Sequence, residues 1–186
     1  VNYSGPVPTV TYWTNSGDHY FGDEEEHSRT LDITVNPVAD APDIKVADVW
    51  TPEDKPVALG LELPEIVDKV QFNGPDGHVD YPERLGEITL SGFPKGSLLL
   101  DKDGNPLVAN GNTLEPFKDD NSSITISITN HTNPDYHVSG VTGTYQMTVE
   151  EYEGLQVKPP KDSHKNFTVT VSVTSYEVDE HGDILK

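Results

Sequence analysis

The segment GEITLSGFPKGSLLL, from Gly86 to Leu100, alternates apolar and polar residues, breaks at Gly-Phe-Pro and then becomes apolar again. Alternation with a period of two is typical of a β-strand with one buried face, and Gly and Pro are residues at which a chain turns. The segment therefore predicts a strand, a corner at residues 92–94 and a second strand that ends at Leu100.

The sequence on both sides of this segment alternates in the same way. The clearest examples are PTVTYWT, RTLDITV, SSITISITN and NFTVTVSVTSYEV, in which β-branched and aromatic residues recur at every second position. In LLLDKDGNPLV the residues Asp-Gly-Asn-Pro suit a hairpin turn. Several short strands separated by turn residues predict an all-β sandwich with Greek-key connections.

One short helix is predicted at MTVEEYEGL. Thr148 is placed to cap its first turn, and Glu151, three residues later, is placed to reach back, as in a capping box. Gly154 is expected to end the helix.

The charge of the chain excludes one class of partner. The 32 acidic residues against 12 basic ones give a formal net charge of −20, which disfavours nucleic acid. There is no cysteine, so neither disulfides nor thiolate metal sites can stabilise the fold. Any cross-linking of the fold is then expected to come from oxygen ligands. Hydrophobic content is only 33%, but its alternation indicates folded β structure rather than disorder.

Motifs for catalysis and for membrane insertion are absent from the sequence. The seven histidines are scattered, and there is no His-Glu-x-x-His, serine nucleophile elbow, phosphate-binding glycine loop or dinucleotide fingerprint. No apolar run approaches the roughly 18 residues that span a bilayer, and a signal-peptide pattern is lacking. We therefore expect a chain that is not an enzyme and does not insert into a membrane.

Two stretches of the chain share a pattern that suggests an internal repeat. TVTYWTNSGDHYFGDEEEH near the N-terminus and TVTVSVTSYEVDEHGD near the C-terminus each run from an alternating strand into an acidic, Gly-containing loop. This pattern predicts closing strands of one repeat at 1–36, a linker at 37–42 and a second repeat at 43–186. The second repeat then lacks a strand equivalent to RTLDITV, so we expect an exposed sheet edge near FTVTVSVTS.

Several motifs, in order, resemble a known family. VNPVADAP resembles the junction between Ig-like or cadherin-like tandem repeats of bacterial RTX adhesins, which are exported by the type I route. TPEDKPVAL and GEITLSGFPKGSLL are similar to the opening and the Ile-Thr-x-Ser-Gly-x-Pro-x-Gly segment of those repeats, and MTVEEYEGLQVKPPKDSHKNFTVTVSVTS to their late segment. The resemblance implies an Ig-like, calcium-binding β-sandwich at the bacterial cell surface. It would act as an extender or presenting domain in adhesion or biofilm formation, with neighbouring repeats as partners.

Two departures from the family pattern favour an alternative role. DGHVDYPE stands where the family has Asp-Gly-Ser-Glu, and the chain carries extra sequence around 105–145. Such an insertion could form a binding site for a host or microbial surface peptide or glycan. Aromatic faces stack on sugar rings, and the candidates for this role are Trp13, Trp50, Tyr81, Tyr136 and Tyr152.

Calcium takes six to eight oxygen ligands, and acidic loops can supply them. In a sandwich such loops can gather at one end, with the linker beside them, although individual loop carboxylates are often merely solvated. A second acidic loop, from Asp18 to Glu26, is an equal candidate for a calcium ligand set or for solvated surface. The predicted ligands of the main site are Asp40, Asp43, Glu53, Asp54, Asp76, Asp80, Glu83 and Asp162.

Asp101 is expected to lie in a hairpin turn, because DKDGN does not continue as an EF-hand loop. We therefore predict that Glu53→Ala and Asp76→Ala weaken calcium affinity more than Asp101→Ala does. Calorimetric titration of the three variants measures the difference. Equal losses in all three would show that the ligands are wrongly assigned.

Overall fold

The computed structural model describes residues 5–6, 10–17, 24–31, 34–35, 38–67, 72–73, 79–109, 112–129, 145–179 and 181–185. The elements in chain order are β1 (Gly5–Pro6), β2 (Val10–Gly17), β3 (Glu24–Leu31), β4 (Thr34–Val35), β5 (Val57–Ala58), β6 (Phe72–Asn73), β7 (Val79–Asp80), β8 (Glu83–Phe93), β9 (Leu98–Leu100), β10 (Val108–Ala109), β11 (Asn112–Thr113), β12 (Ser122–Ile128), β13 (Tyr145–Met147), α1 (Val149–Glu153), β14 (Gln156–Lys158) and β15 (Thr170–Glu177).

Two sheets, with seven strands in total, form a sandwich. One has the order β13-β12-β8-β15 and the other β5-β14-β9, and the hydrophobic core includes side chains from both. All neighbours are antiparallel except β12 and β13, which are parallel. The chain leaves the first sheet after β8 and returns to it at β12, so most paired strands are distant in sequence. The predicted all-β sandwich is confirmed, and α1 is its one helix in the described part of the chain.

Strand β8 keeps a single face on the core by means of two β-bulges. Its buried side chains, Glu83, Leu85, Ile88, Leu90 and Phe93, are spaced by two, three, two and three residues. Each three-residue step contains one extra residue in β8. The first extra residue lies opposite β15 and the second opposite β12. A bulge absorbs one residue without changing the face, so all five side chains point inward.

Glycines occupy both bulges because a side chain would not fit there. A β-carbon on Gly86 would lie 2.4 Å from Oγ1 of Thr174. Gly92 has φ +95, and a β-carbon on it would lie 2.3 Å from the backbone oxygen of Thr168. The second position therefore excludes other residues both by its dihedral angle and by space.

The predicted insertion around 105–145 contains part of the core. Three isoleucines of β12, Ile124, Ile126 and Ile128, are buried between the sheets. Nearby, Phe117 stacks on Phe93 with 5.0 Å between ring centroids. This part of the segment is thus integral to the sandwich, whereas residues 130–144 lie outside the described residues.

The predicted capping box of α1 is confirmed. The Thr148 side chain accepts a hydrogen bond from the Glu151 backbone N–H (3.2 Å), and Glu151 Oε2 accepts one from the Thr148 backbone N–H (2.8 Å). Gly154 ends the helix with φ −82, so it does not adopt the left-handed conformation usual for a terminal glycine. It is needed because a β-carbon there would lie 2.7 Å from Cβ of Lys102, whose ammonium group pairs with Glu150.

The predicted hairpin turn at Asp101 is also confirmed. Its Oδ1 accepts hydrogen bonds from the backbone N–H groups of Asp103 (2.9 Å) and Asn105 (2.8 Å), and Gly104 has φ +82. The hydrogen bond from the Asn105 backbone is the main cause that lowers the pKa of Asp101. A second turn has the same pattern: Asp179 Oδ1 accepts from the backbones of His181 (2.8 Å) and Asp183 (2.9 Å).

The N-terminal strands pair with one another. β2 is antiparallel to β3 over its full length, and β1 is antiparallel to β4. β15 ends its sheet, so within the described ranges the predicted sheet edge near FTVTVSVTS is confirmed. The division into 1–36, 37–42 and 43–186 stays a prediction.

The bulge at Gly92 can be tested by alanine substitution. Gly92→Ala should destabilise the protein by the cost of a left-handed alanine, about 1–2 kcal/mol, plus roughly 1–3 kcal/mol of overpacking against Thr168. Gly104→Ala is the matched control, because Gly104 has φ +82 but would place its β-carbon with nothing within 4 Å. Urea unfolding of both variants measures the difference, and equal losses would contradict a role for close packing.

Candidate functional site

The predicted linker lies against one end of the sandwich. The backbone N–H of Asp40 donates to Oε1 of Glu83, and the hydroxyl of Ser175 donates to the backbone oxygen of Asp40. Asp43 forms an antiparallel bridge with Glu65 through two backbone hydrogen bonds of 2.9 and 3.0 Å. Asp40 is therefore held at the start of β8 and the end of β15, and Asp43 is held against Glu65.

Two buried carboxylates face each other at this end. Glu83 and Glu177 are 2% and 6% exposed and are direct partners across β8 and β15. The next pair along the strands is hydrogen-bonded, because Val178 donates its N–H to the Pro82 oxygen (3.0 Å). Hydrogen-bonded and non-hydrogen-bonded pairs alternate in an antiparallel ladder, so Glu83 and Glu177 form a non-hydrogen-bonded pair. Side chains lie closest in pairs of this type. Two ionised carboxylates in this position repel each other. Arg84 donates from Nη1 to the backbone oxygen of Glu83 (2.7 Å).

A second acidic pair lies between the loops that precede β5 and follow β14. The backbone N–H of Asp162 donates to Oδ1 of Asp54 (2.9 Å). Both residues have left-handed backbones, with φ +62 for Asp54 and +57 for Asp162, and Glu53 beside them is exposed. Asp and Asn tolerate this conformation better than other non-glycine residues.

These two acidic groups lie at opposite ends of the sandwich. Pro160, two residues before Asp162, lies close to Gly96: its side chain is 3.5 Å from the position of a β-carbon on that glycine. Gly96 comes three residues after Phe93, the last residue of β8, whereas Glu83 is the first residue of that strand. An 11-residue strand is roughly 30 Å long. The expectation that the predicted ligands gather at one end is therefore wrong for Glu83 and the Asp54–Asp162 pair. Alternating sequence gives the strands, but the direction in which each one crosses the core decides which loops meet.

The remaining predicted ligands are only partly described. Asp76 lies outside the described residues, as does most of the loop from Asp18 to Glu26. Asp80 is the last residue of β7, where it pairs with Phe72, and its side chain is not described. Calcium binding by each of the eight residues stays a prediction.

The described residues supply the type of ligand atom that calcium prefers, but fewer ligands than its coordination shell needs. Carboxylate and carbonyl oxygens are the ligands that calcium prefers, and Glu83, Glu177 and the Asp40 backbone supply them. Within residues whose positions are described, no group of three or more His, Cys, Asp or Glu side chains forms a metal site. The rest of a coordination shell would have to come from other backbone oxygens, water or residues outside this part.

Glu177 is a candidate that the sequence reasoning missed. Side chains two residues apart in a strand lie on the same face, so Glu177 shares the face of Val171 and Val173. This two-residue period in NFTVTVSVTSYEV is the signal that could have identified Glu177. A charged residue on the core face of a strand is uncommon and needs compensation.

The aromatic candidates separate into different environments. Trp50 is 83% exposed, and its role in stacking on a sugar ring stays a prediction. Tyr152 is fully buried in the core, and its hydroxyl has no hydrogen-bond partner among the described atoms. Burial raises the pKa of Tyr152 to about 12. Tyr136 lies outside the described residues, and the side chain of Trp13 is not described.

The chain was compared with protein-family models, with curated proteins and with solved structures, and none of the three comparisons gave a match. Across the described residues, no helix has the length and apolar character needed to span a membrane.

The bond between Asp40 and Glu83 can be tested by hydrogen exchange. Glu83→Ala removes the acceptor, and we expect exchange of the Asp40 amide to become roughly tenfold faster or more, as the loss of a buried hydrogen bond to a charged group implies. Glu83→Gln keeps an acceptor oxygen and should retain most of the protection. The Asp43 amide, bonded to Glu65, is the internal control. Equal exchange of Asp40 in the two variants would contradict the contact.

Proposed function

We propose that this chain is a calcium-stabilised, extracellular module of a large bacterial adhesin, in which it extends the molecule or presents a distal domain. The observation that carries the proposal is the docking of the linker onto the sandwich end that contains Glu83 and Glu177. The motifs that resemble RTX adhesin repeats supply the family and the location.

The linker contacts explain how an ion could stiffen the junction. Proline restricts the backbone at positions 37 and 42. Asp40, between the two prolines, and Asp43, directly after the second, are held by hydrogen bonds of their backbone N–H groups. Glu83 accepts a hydrogen bond from this segment, and Glu177 is the cross-strand partner of Glu83. A cation bound there would reduce their repulsion and add a link between the linker and the sandwich.

The net charge of −20 supports the same proposal. A chain with this charge is destabilised by self-repulsion, and cation binding at the folded state relieves part of it. Binding to the native state alone stabilises by about 2.7 kcal/mol at a hundredfold excess over Kd. A fold that gains this stability at extracellular calcium levels suits export of an unfolded chain.

The alternative is a module that binds a peptide or glycan. Its predicted site, the insertion around 105–145, includes residues 130–144, which lie outside the described residues. In the described part of that segment, β12 packs in the core, so any such site would have to be built by the neighbouring loops.

Calorimetric titration of calcium into the chelated protein, followed by thermal unfolding, tests the proposal. We expect saturable binding and a melting temperature that rises with calcium. Magnesium is the control ion, because its smaller octahedral shell suits flexible carboxylate sites less well. No binding heat and an unchanged melting temperature would refute calcium stabilisation.

Two isosteric variants locate the site. Glu83→Gln removes one charge at the linker end, and Asp54→Asn removes one at the opposite end while keeping an acceptor for the Asp162 N–H. If calcium acts at the junction, Glu83→Gln lowers the affinity and Asp54→Asn leaves it unchanged, and the loss predicted from the sequence for Glu53→Ala, which is beside Asp54, is then not expected. The reverse pattern would place the ion at the far end and contradict a role in stiffening the linker.

A further inference from the structure

Strand β15 presents an open edge. It pairs with β8 on one side and is the last strand of its sheet in the described part of the chain. Val178 directs its N–H toward β8, whereas the oxygen of Glu177 accepts from Leu185 on the other side (2.9 Å). Because these directions alternate along an antiparallel strand, the backbone groups of Val171 and Val173 point away from β8.

This edge lacks the features that normally prevent strand addition. Natural edges are protected by charged residues, proline or bulges. Residues 167–176, FTVTVSVTSY, contain no charge and no proline, although 24% of the whole chain is charged. The one bulge between β8 and β15 has its extra residue in β8, not in β15. Val169, Val171 and Val173 pack against the core but are only partly buried, so one flank of the core is open.

The chain itself begins to cover the edge. After the turn at Asp179–Asp183, Ile184 bridges to Val178 and Leu185 bonds to Glu177. These contacts set an antiparallel register on the open side of β15. A strand that continued in this register would place alternate side chains beside Val173 and Val171 on the core face.

The N-terminal strands indicate which sequence fits. β2 begins the stretch that resembles β15, and its antiparallel partner is β3, whose sequence runs into RTLDITV. In Arg29–Val35 the apolar residues Leu31, Ile33 and Val35 alternate, and its one positive and one negative charge cancel. A neutral strand of this kind adds no repulsion to a chain of charge −20.

We propose that the open edge of β15 is a docking site for one antiparallel β-strand with the pattern of Arg29–Val35. Backbone hydrogen bonds to Val171 and Val173 hold the strand, and its alternate apolar side chains cover the flank of the core. This inference does not depend on calcium.

Appending the seven residues RTLDITV directly after Lys186 of the full chain tests the site. In the register set by Leu185, the appended Leu, Ile and Val lie opposite Val173, Val171 and Val169. The matched control appends TLDITVR, which has the same composition but places its apolar residues on the other face. Hydrogen exchange at Val171 and Val173, urea unfolding and molecular mass are measured for both.

We expect the RTLDITV extension to slow exchange at Val171 and Val173 by roughly tenfold or more and to raise the urea midpoint, with little change for TLDITVR. Protection with a doubled mass means that the strand docks on the edge of a second copy, which supports the same site. Equal exchange rates and midpoints for the two extensions would overturn the proposal. The experiment is performed without calcium, so its failure would leave the calcium proposal standing.

Discussion

Strand β8 is the constraint on which the rest of the fold depends. It is hydrogen-bonded to β12 on one side and β15 on the other, and it supplies the inner residues of both pairings. Eleven residues could not keep one face inward in this strand without the bulges at Gly86 and Gly92, since the buried positions change parity twice. Sterically, these glycines allow Thr174, Tyr176 and Thr168 to approach β8 closely enough for the sheet to form.

The same strand fixes the electrostatics of the two sandwich ends. Because β8 spans the sheet, Glu83 at its start and the loop after Phe93 are separated by the length of the strand, and the acidic groups at the ends act independently at physiological salt. Among the described residues, the linker is hydrogen-bonded to the group at Glu83. Its hydrogen bonds to Glu83 and Ser175 give the junction a defined position, and under the proposed function a cation bound at the Glu83–Glu177 pair would act on that position.

The open edge of β15 and the docked linker are features of one end of the same strand pair. Asp40 lies against Ser175, and Ile184 and Leu185 pair with the last residues of β15, so this corner combines the entry to the sandwich with the beginning of a further strand. An added strand would therefore extend the sheet beside the linker. This corner therefore brings the linker against the end of β15, 135 residues later in the chain.

Local sequence determined the elements of this protein. Alternation gave the strands around β8, β12 and β15, Thr148 and Glu151 gave the capped helix, and Asp101 with Gly104 gave the hairpin turn, because each depends on neighbours within a few residues. The tertiary structure alone decided the rest. The pairing of Glu83 with Glu177 and the separation of Glu83 from Asp54 depend on register and strand direction between distant segments, and Gly154 is explained by its contact with Lys102. Such contacts have no signature in a local pattern, since they are set by how the whole chain packs.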